Sequence, residues 1–277
     1  MKKLFFPFLI VIVAHLAVAQ PKDAKTKELG IFLGASGYAG ELNPYNQFSK
    51  LMQPAGGLVY RKAINRRYAL KSSLLYGSIK GDDAQAKNAF QRNRNLNFKS
   101  ILLELSGQLE FNFMKYEIGN PEFPWSPYIF FGLSGFYFNP NGNQDGTWRE
   151  LRPLATEGEG VIPGRKKYLR TQLSFPFGLG LKARMGDNFA FSLEMGLRRT
   201  FTDYLDDVSG TYPDQTTLGI AKGPISVAYS DPSLNTDINN SFRQRGNSQN
   251  KDWYSFSGIM ITYYLRKKPP ECPAYHY

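Results

Sequence analysis

Cysteine is nearly absent: Cys272 is the only one in 277 residues. No internal disulfide can form, so the fold is not a disulfide scaffold, and Cys272 is a free thiol or an intermolecular partner. Histidine is almost as scarce. His15 lies in an apolar leader, and His276 stands next to the last residue. A Ser-His-Asp hydrolase needs a histidine fixed among its partners, and a zinc site of the His/Cys type needs more such ligands. No Gly-x-x-x-x-Gly-Lys-Ser loop is present to cradle phosphates. After residue 19 there is no run of about 18 apolar residues, which excludes an α-helical membrane protein. These absences point away from an enzyme. They leave no His- or Cys-based catalytic or metal-ligand set and no cofactor to assign.

The leader has the form of a secretory signal: Lys2 and Lys3, an apolar run from Leu4 to Val13, and Ala17-Val18-Ala19 as a cleavage site. Residues 1–19 are therefore expected to be removed, 20–266 to form one β domain, and 267–277 a tail. Aromatics make up 15% of the chain, Gly is common, and the net charge is +11. A polar lumen, an apolar band and aromatic girdles give outer-membrane barrels this mixture. For an exported chain, the positive excess suits anionic lipid heads or acidic proteins rather than nucleic acid.

Residues 98–114 alternate strictly. Ile101, Leu103, Leu105, Leu109, Phe111 and Phe113 share one face, while Ser100, Glu104, Ser106, Gln108, Glu110 and Asn112 share the other. This is period two over more than a soluble strand's usual length, and a tilted membrane crossing needs about 9–11 residues. Similar segments are 28–38, 56–62, 68–80, 127–138, 172–184, 188–202 and 253–266. In 127–138 both faces are apolar, so the register is open, and Pro176 within 172–184 calls for a bulge or distortion. Short or medium connections (63–67, 115–126, 185–188) alternate with long ones (40–53, 81–97, 139–171, 203–252). That asymmetry belongs to outer-membrane barrels, with short periplasmic turns and long external loops. The expected fold is all-β: an eight-stranded antiparallel transmembrane barrel of the outer membrane with both termini periplasmic. A soluble β-sandwich is the alternative. Tyr60, Tyr68, Tyr116, Trp125, Tyr128, Phe138, Trp253, Tyr254, Tyr263 and Tyr264 read as girdle residues.

Three groups of side chains stand out. Glu104, Glu110, Lys182, Arg184, Glu194 and Arg198 are expected to face inward as a lumen charge network; acid–base chemistry by the carboxylates is the rival reading. The loop containing Thr202, Asp203, Tyr204, Leu205, Asp206, Asp207 and Gly210 is a cap above the barrel or a seat for an oxygen-ligated Ca²⁺, although it lacks EF-hand spacing. Within 203–252, residues 224–229 are apolar enough for a short strand or lid. At the periplasmic end, Arg61, Lys62, Arg66, Arg67, Arg266, Lys267, Lys268 and Cys272 form a candidate partner contact.

The stretch 197–212, with Thr202-Asp203-Tyr204-Leu205-Asp206-Asp207 at its centre, resembles the hallmark segment of PorG-type outer-membrane β-barrels. Those proteins are associated with the type IX secretion system of Bacteroidetes. Glu28-Leu29-Gly30, Gly40-Glu41-Leu42-Asn43, Tyr60-Arg61, Arg67-Tyr68-Ala69-Leu70, Pro127-Tyr128, Phe131-Gly132 and Cys272-Pro273 extend the resemblance over nearly the whole chain after the leader. It implies an anchoring or assembly role, with two partners: the periplasmic ring lipoprotein and the protein that completes the ring with it. A general small barrel binding lipid or a small ligand at its mouth is the alternative. Genomic neighbourhood or a pull-down would separate the two.

Overall fold

Nine antiparallel strands make up about half of the described residues, and eight of them close on one another. In the computed structural model, which describes residues 26–43 and 51–266, they are β1 (Lys27–Ala39), β2 (Gln53–Ala63), β3 (Tyr68–Asp82), β4 (Asn97–Asn112), β5 (Trp125–Gln144), β6 (Thr147–Glu150), β7 (Thr171–Met185), β8 (Phe189–Thr200) and β9 (Trp253–Tyr264). Each barrel strand pairs with its chain neighbour, β7 follows β5 in the wall, and β1 closes on β9. The all-β, eight-stranded antiparallel barrel is thus the fold. The leader 1–19 and the tail 267–277 lie outside the described residues.

Closure removes every sheet edge except that of the β5–β6 hairpin. β5 runs on to Gln144 and turns through Asp145 (φ 50°) and Gly146 (φ 79°) into β6. Two positive-φ residues in a two-residue loop make the turn that matches strand twist, and Asp-Gly is its usual sequence. Residues 139–171 are therefore not one irregular connection, as the sequence reading had them; their first part continues the strand.

Alternation sorts the strands into two faces. In β4, Phe98, Ser100, Leu102, Glu104, Ser106, Gln108, Glu110 and Asn112 are buried, and Ile101, Leu103 and Leu105 are exposed. The same holds for β7 and β8, whose Leu173, Leu179, Leu181, Leu193 and Met195 point outward. The open register of β5 resolves with Tyr128, Phe130, Phe136 and Phe138 inside and Ile129, Phe131 and Leu133 outside. The inner aromatics fill the space left by Gly178 and Gly180. A Cβ on Gly178 would come within 2.7 Å of Phe130, and one on Gly180 within 2.5 Å of Tyr128.

Pro176 has a milder effect than a bulge. β5 and β7 pair in one register from Trp125↔Ala183 to Tyr137↔Thr171, and only Gly132 and Leu133, opposite Pro176 and Phe175, drop out. The ladder loses contact without gaining a residue, because Pro removes a donor and adds no length.

The aromatic girdle is smaller than expected. Tyr116, Tyr128, Phe138 and Tyr254 are buried, whereas Trp125 and Tyr263 are exposed. Composition alone does not separate the two sets, since a barrel interior this narrow also needs bulky filling.

Candidate functional site

The interior of the wall holds a closed set of charges. Arg61 reaches Glu28 at 2.8 Å and Glu110 at 2.9 Å, and Lys182 reaches Glu110 at 2.6 Å. Lys71 pairs with Glu194 and lies 3.6 Å from Glu110, while Arg198 meets Glu104 at 3.1 Å. Hydroxyls complete the network: Tyr128 donates to Glu194 at 2.8 Å, Tyr254 to Glu104 at 2.8 Å and Thr262 to Glu28 at 2.7 Å. The Lys71 ammonium also sits 4.2 Å from the Phe130 ring, and that of Lys182 4.5 Å from the Tyr128 ring. All eight charged groups are at most 5% exposed. The expected Glu104, Glu110, Lys182, Glu194 and Arg198 are brought together here.

Arg184 is a correction. It is turned to the rim, 24% exposed, with Gly186 O at 3.1 Å and Asp187 at 3.7 Å. Two residues beyond Lys182, it has run out of lumen. Glu28, Arg61 and Lys71 complete the network. The alternation of β3 already placed Lys71 between the outward Leu70 and Ser72, whereas the small residues around β2 hide the same signal for Arg61.

The mouth at the long-loop end of the barrel is closed by those loops. The segment after β8 is buried at Thr202, Asp203, Leu205, Asp206, Asp207 and Val208. It is a cap. Tyr38 donates to Asp206 at 2.5 Å, Val208 N–H donates to Asp206 at 2.9 Å, and Leu205 N–H donates to Asp252 at 2.9 Å. Asp207, left-handed at φ 66°, accepts from Tyr168 at 2.6 Å and from Thr156. Arg245 ties the other side, donating to Glu157 at 3.1 Å and to Asp207 O at 2.6 Å. Glu157 accepts from Ser209 N–H at 2.8 Å and from Gly210 N–H at 3.0 Å. Tyr204 stacks on Tyr168 with centroids 4.9 Å apart, and Tyr168 on Phe138 at 5.8 Å.

Burial raises the carboxyls of this cap. Glu159 is pushed up to about 8, first by desolvation and then by Asp207 and Glu157. Asp207 rises to about 7 by desolvation, opposed by Arg245. On the β1 side Glu41 is pushed up to about 9 by desolvation and by Asp206 and Asp203, and Asp252 lies well above the usual carboxylate range for the same kind of reason.

The apolar run 224–229 is helical and not a strand: α3 (Gln215–Lys222) and α4 (Pro224–Ser230), after α1 (Ala89–Arg94) and α2 (Leu151–Leu154), belong to the loops. Ser226, Tyr229 and Ser230 are its buried residues, a spacing of three and four that suits a helix, and Pro224 opens it at N1. Tyr229 donates to Thr147 O at 2.6 Å, so α4 lies against the β5–β6 hairpin as a lid.

At the opposite rim Lys62, Arg67 and Arg266 are exposed. Arg66 is 30% exposed, bound to Glu117 at 2.8 Å and stacked 4.4 Å from the Phe123 ring. Arg61 does not belong to this surface. It is 1% exposed and spent in the lumen, which corrects its expected contact role. Lys267, Lys268 and Cys272 lie outside the described residues.

A family model for a domain of unknown function, DUF6089, matches residues 2–223. The chain belongs to the DUF6089 family. A search of curated protein sequences finds no significant relative. Among solved structures, the DUF6089 chain is similar to Ail, the attachment invasion locus protein of Yersinia pestis, crystallised with the heparin analogue sucrose octasulfate. Identity is 9% over 87% of this chain and 100% of that one, with a TM-score of 0.41. It is also similar to Neisserial surface protein A (8% identity, 85% and 95% covered, TM-score 0.39) and to OprG of Pseudomonas aeruginosa (9%, 90% and 100%, TM-score 0.37).

Proposed function

We propose that this DUF6089 barrel sits in the outer membrane as a non-catalytic anchoring or assembly component of a type IX secretion machine, contacting its periplasmic ring. The observation that carries the reading is the pairing of a filled lumen with an apolar outer wall. Leu29, Ile31, Leu33, Leu58, Leu74, Leu105, Leu133, Leu179 and Leu193 are between 44% and 67% exposed around the whole wall, an arrangement that only a lipid surround makes favourable. The interior is occupied by paired charges, which speaks against a transport path through the lumen. The rims remain as the surfaces a partner can use.

The resemblance of 197–212 to PorG-type proteins is what points to that machine, and the basic short-turn rim offers a docking face for it. Lys62, Arg67 and Arg266 are solvent-facing there. Opposed charge speeds and orients docking more than it adds affinity. The test is co-purification with the ring subunits. Lys62→Glu with Arg67→Glu, and separately deletion of 269–277, are expected to reduce ring recovery several-fold while heat-modifiable gel mobility stays normal. Unchanged recovery in both variants overturns the reading.

A second reading is favoured by one feature of the mouth. A cleft of about 900 Å³ lies there, lined by Arg199, Gln244, Asn247, Lys251 and Trp253 among others. A barrel that binds a lipid headgroup or small ligand from outside would use it. Retention of ring binding when Arg199→Ala and Lys251→Ala are combined separates the two roles.

A further inference from the structure

Three carboxylates from three separate points of the chain meet at the outer mouth. Glu41 follows β1, Asp203 follows β8 and Asp252 precedes β9, and one oxygen from each lies within 4.8 Å of the others. Ca²⁺ binds oxygens at about 2.3–2.6 Å, so two ligands on one ion stand up to roughly 5 Å apart. The spacing fits an ion at the centre.

The oxygens that remain free point to the same conclusion. Asp203 is 3% exposed; its Oδ2 accepts from Ser209 at 2.7 Å, and its Oδ1 has no hydrogen-bond partner. Glu41 Oε1 accepts from Asn247 N–H at 3.2 Å, and Oε2, also buried, has none. A buried carboxylate oxygen without a donor has lost its water and gained nothing in return, and one cation would satisfy both. Nearby cations do not fill the gap. Arg94 is bound to Asp83 at 2.7 Å, and Lys251 donates to Ser248 O at 3.0 Å. Backbone space is kept for the site as well: a Cβ on Gly40 would fall 2.1 Å from Asp252 Oδ1 and 2.1 Å from the Tyr38 hydroxyl.

We propose that Glu41, Asp203 and Asp252 form a divalent-cation site of the Ca²⁺ class, which clamps the outer ends of β1, β8 and β9 under the cap. An all-oxygen, carboxylate-rich set selects a hard cation over zinc or copper. Glu41 also lines the mouth cleft, which gives the ion a route from the exterior. Extracellular modules of this kind bind Ca²⁺ with dissociation constants of about 0.1–1 mM. The ion joins both sides of the β8–β9–β1 stretch of wall, so it fixes the cap's attachment rather than the wall itself. Asp206 and Asp207 lie outside the set of three converging carboxylates; Asp206 accepts from Tyr38 and the Val208 N–H, and Asp207 from Tyr168 and Thr156.

The test uses the purified full chain in detergent with Tb³⁺ as the probe, sensitised by the adjacent Tyr38 and Trp253. Saturable luminescence that Ca²⁺ displaces is expected. Asp203→Asn and Glu41→Gln should each weaken Ca²⁺ displacement by about tenfold or more, while Glu159→Gln, in the other carboxyl group of the cap, leaves it unchanged. Ca²⁺ should also slow proteolysis of the 201–252 loop in the native chain but not in the two ligand variants. Glu41 is only partly buried, so Glu41→Gln carries the test if Asp203→Asn fails to fold, with heat-modifiable mobility as the control. A folded native barrel with no Ca²⁺-displaceable Tb³⁺ signal overturns the proposal. So does equal binding in native protein and Glu41→Gln.

Discussion

Arg61 illustrates how much one side chain can hold. It joins Glu28 on β1 to Glu110 on β4, and Glu110 is shared in turn with Lys182 of β7. Removing one partner from a buried pair leaves the other charge uncompensated, at a cost of about 3–5 kcal/mol. Arg61→Ala is therefore expected to lower the unfolding free energy by that amount, read from urea titration of the folded gel band. Arg184→Ala, at the partly solvated rim, should change it by less than about 0.5 kcal/mol. The two arginines looked alike as sequence, one inward and one at an end. What separates them is position along the strand relative to the rim, which alternation does not encode. Asp252 and Glu41 were equally hidden, because nothing in the local sequence shows that loops 200 residues apart converge.

At the scale of the element, the cap carries a pH dependence of its own. Glu159 faces Glu157, Asp207 and Arg245, and burial lifts its carboxyl up to about 8. A carboxyl raised in the folded state binds its proton more tightly there than in the unfolded chain. Its contribution is thus complete below the ordinary carboxylate range and is lost as pH climbs through about 8; Asp207, raised to about 7, adds in the same direction. Proteolysis within 201–252 should accelerate between pH 6 and pH 9 while the strands stay protected. Asp206, raised to about 7, and Glu41, raised to about 9, add in the same direction, so Glu159→Gln should reduce that rise without abolishing it; an equal rise in the variant refutes the assignment. The strands themselves were legible because period two repeats along each of them. The helix 224–230 was not, since six apolar and small residues fit either period until Tyr229 finds Thr147 O.

For the whole molecule, eight strands enclose too little space for a channel once side chains of this size point inward. Reconstituted in a planar bilayer, the native protein should give no steady single-channel conductance. A stable open level of porin size would contradict the filled lumen. Overall architecture was readable from alternation and loop asymmetry, whereas the division of aromatics between lumen and girdle was not. That division follows from which face each residue occupies, and β5 is bulky on both.

The eight lumen charges also constrain how such a chain can enter a bilayer. Taken alone, β3–β4 carries Lys71 against Glu104 and Glu110, and β7–β8 carries Lys182 and Arg198 against Glu194. One hairpin is short of a positive charge and the other of a negative one, and their deficits cancel only across the finished interior. Each unmatched ion in hydrocarbon costs several kcal/mol. Stepwise insertion, hairpin by hairpin, would pass through those unbalanced intermediates. A chain built this way is better delivered to the lipid with its halves already facing each other, so that ring closure and membrane entry become a single event.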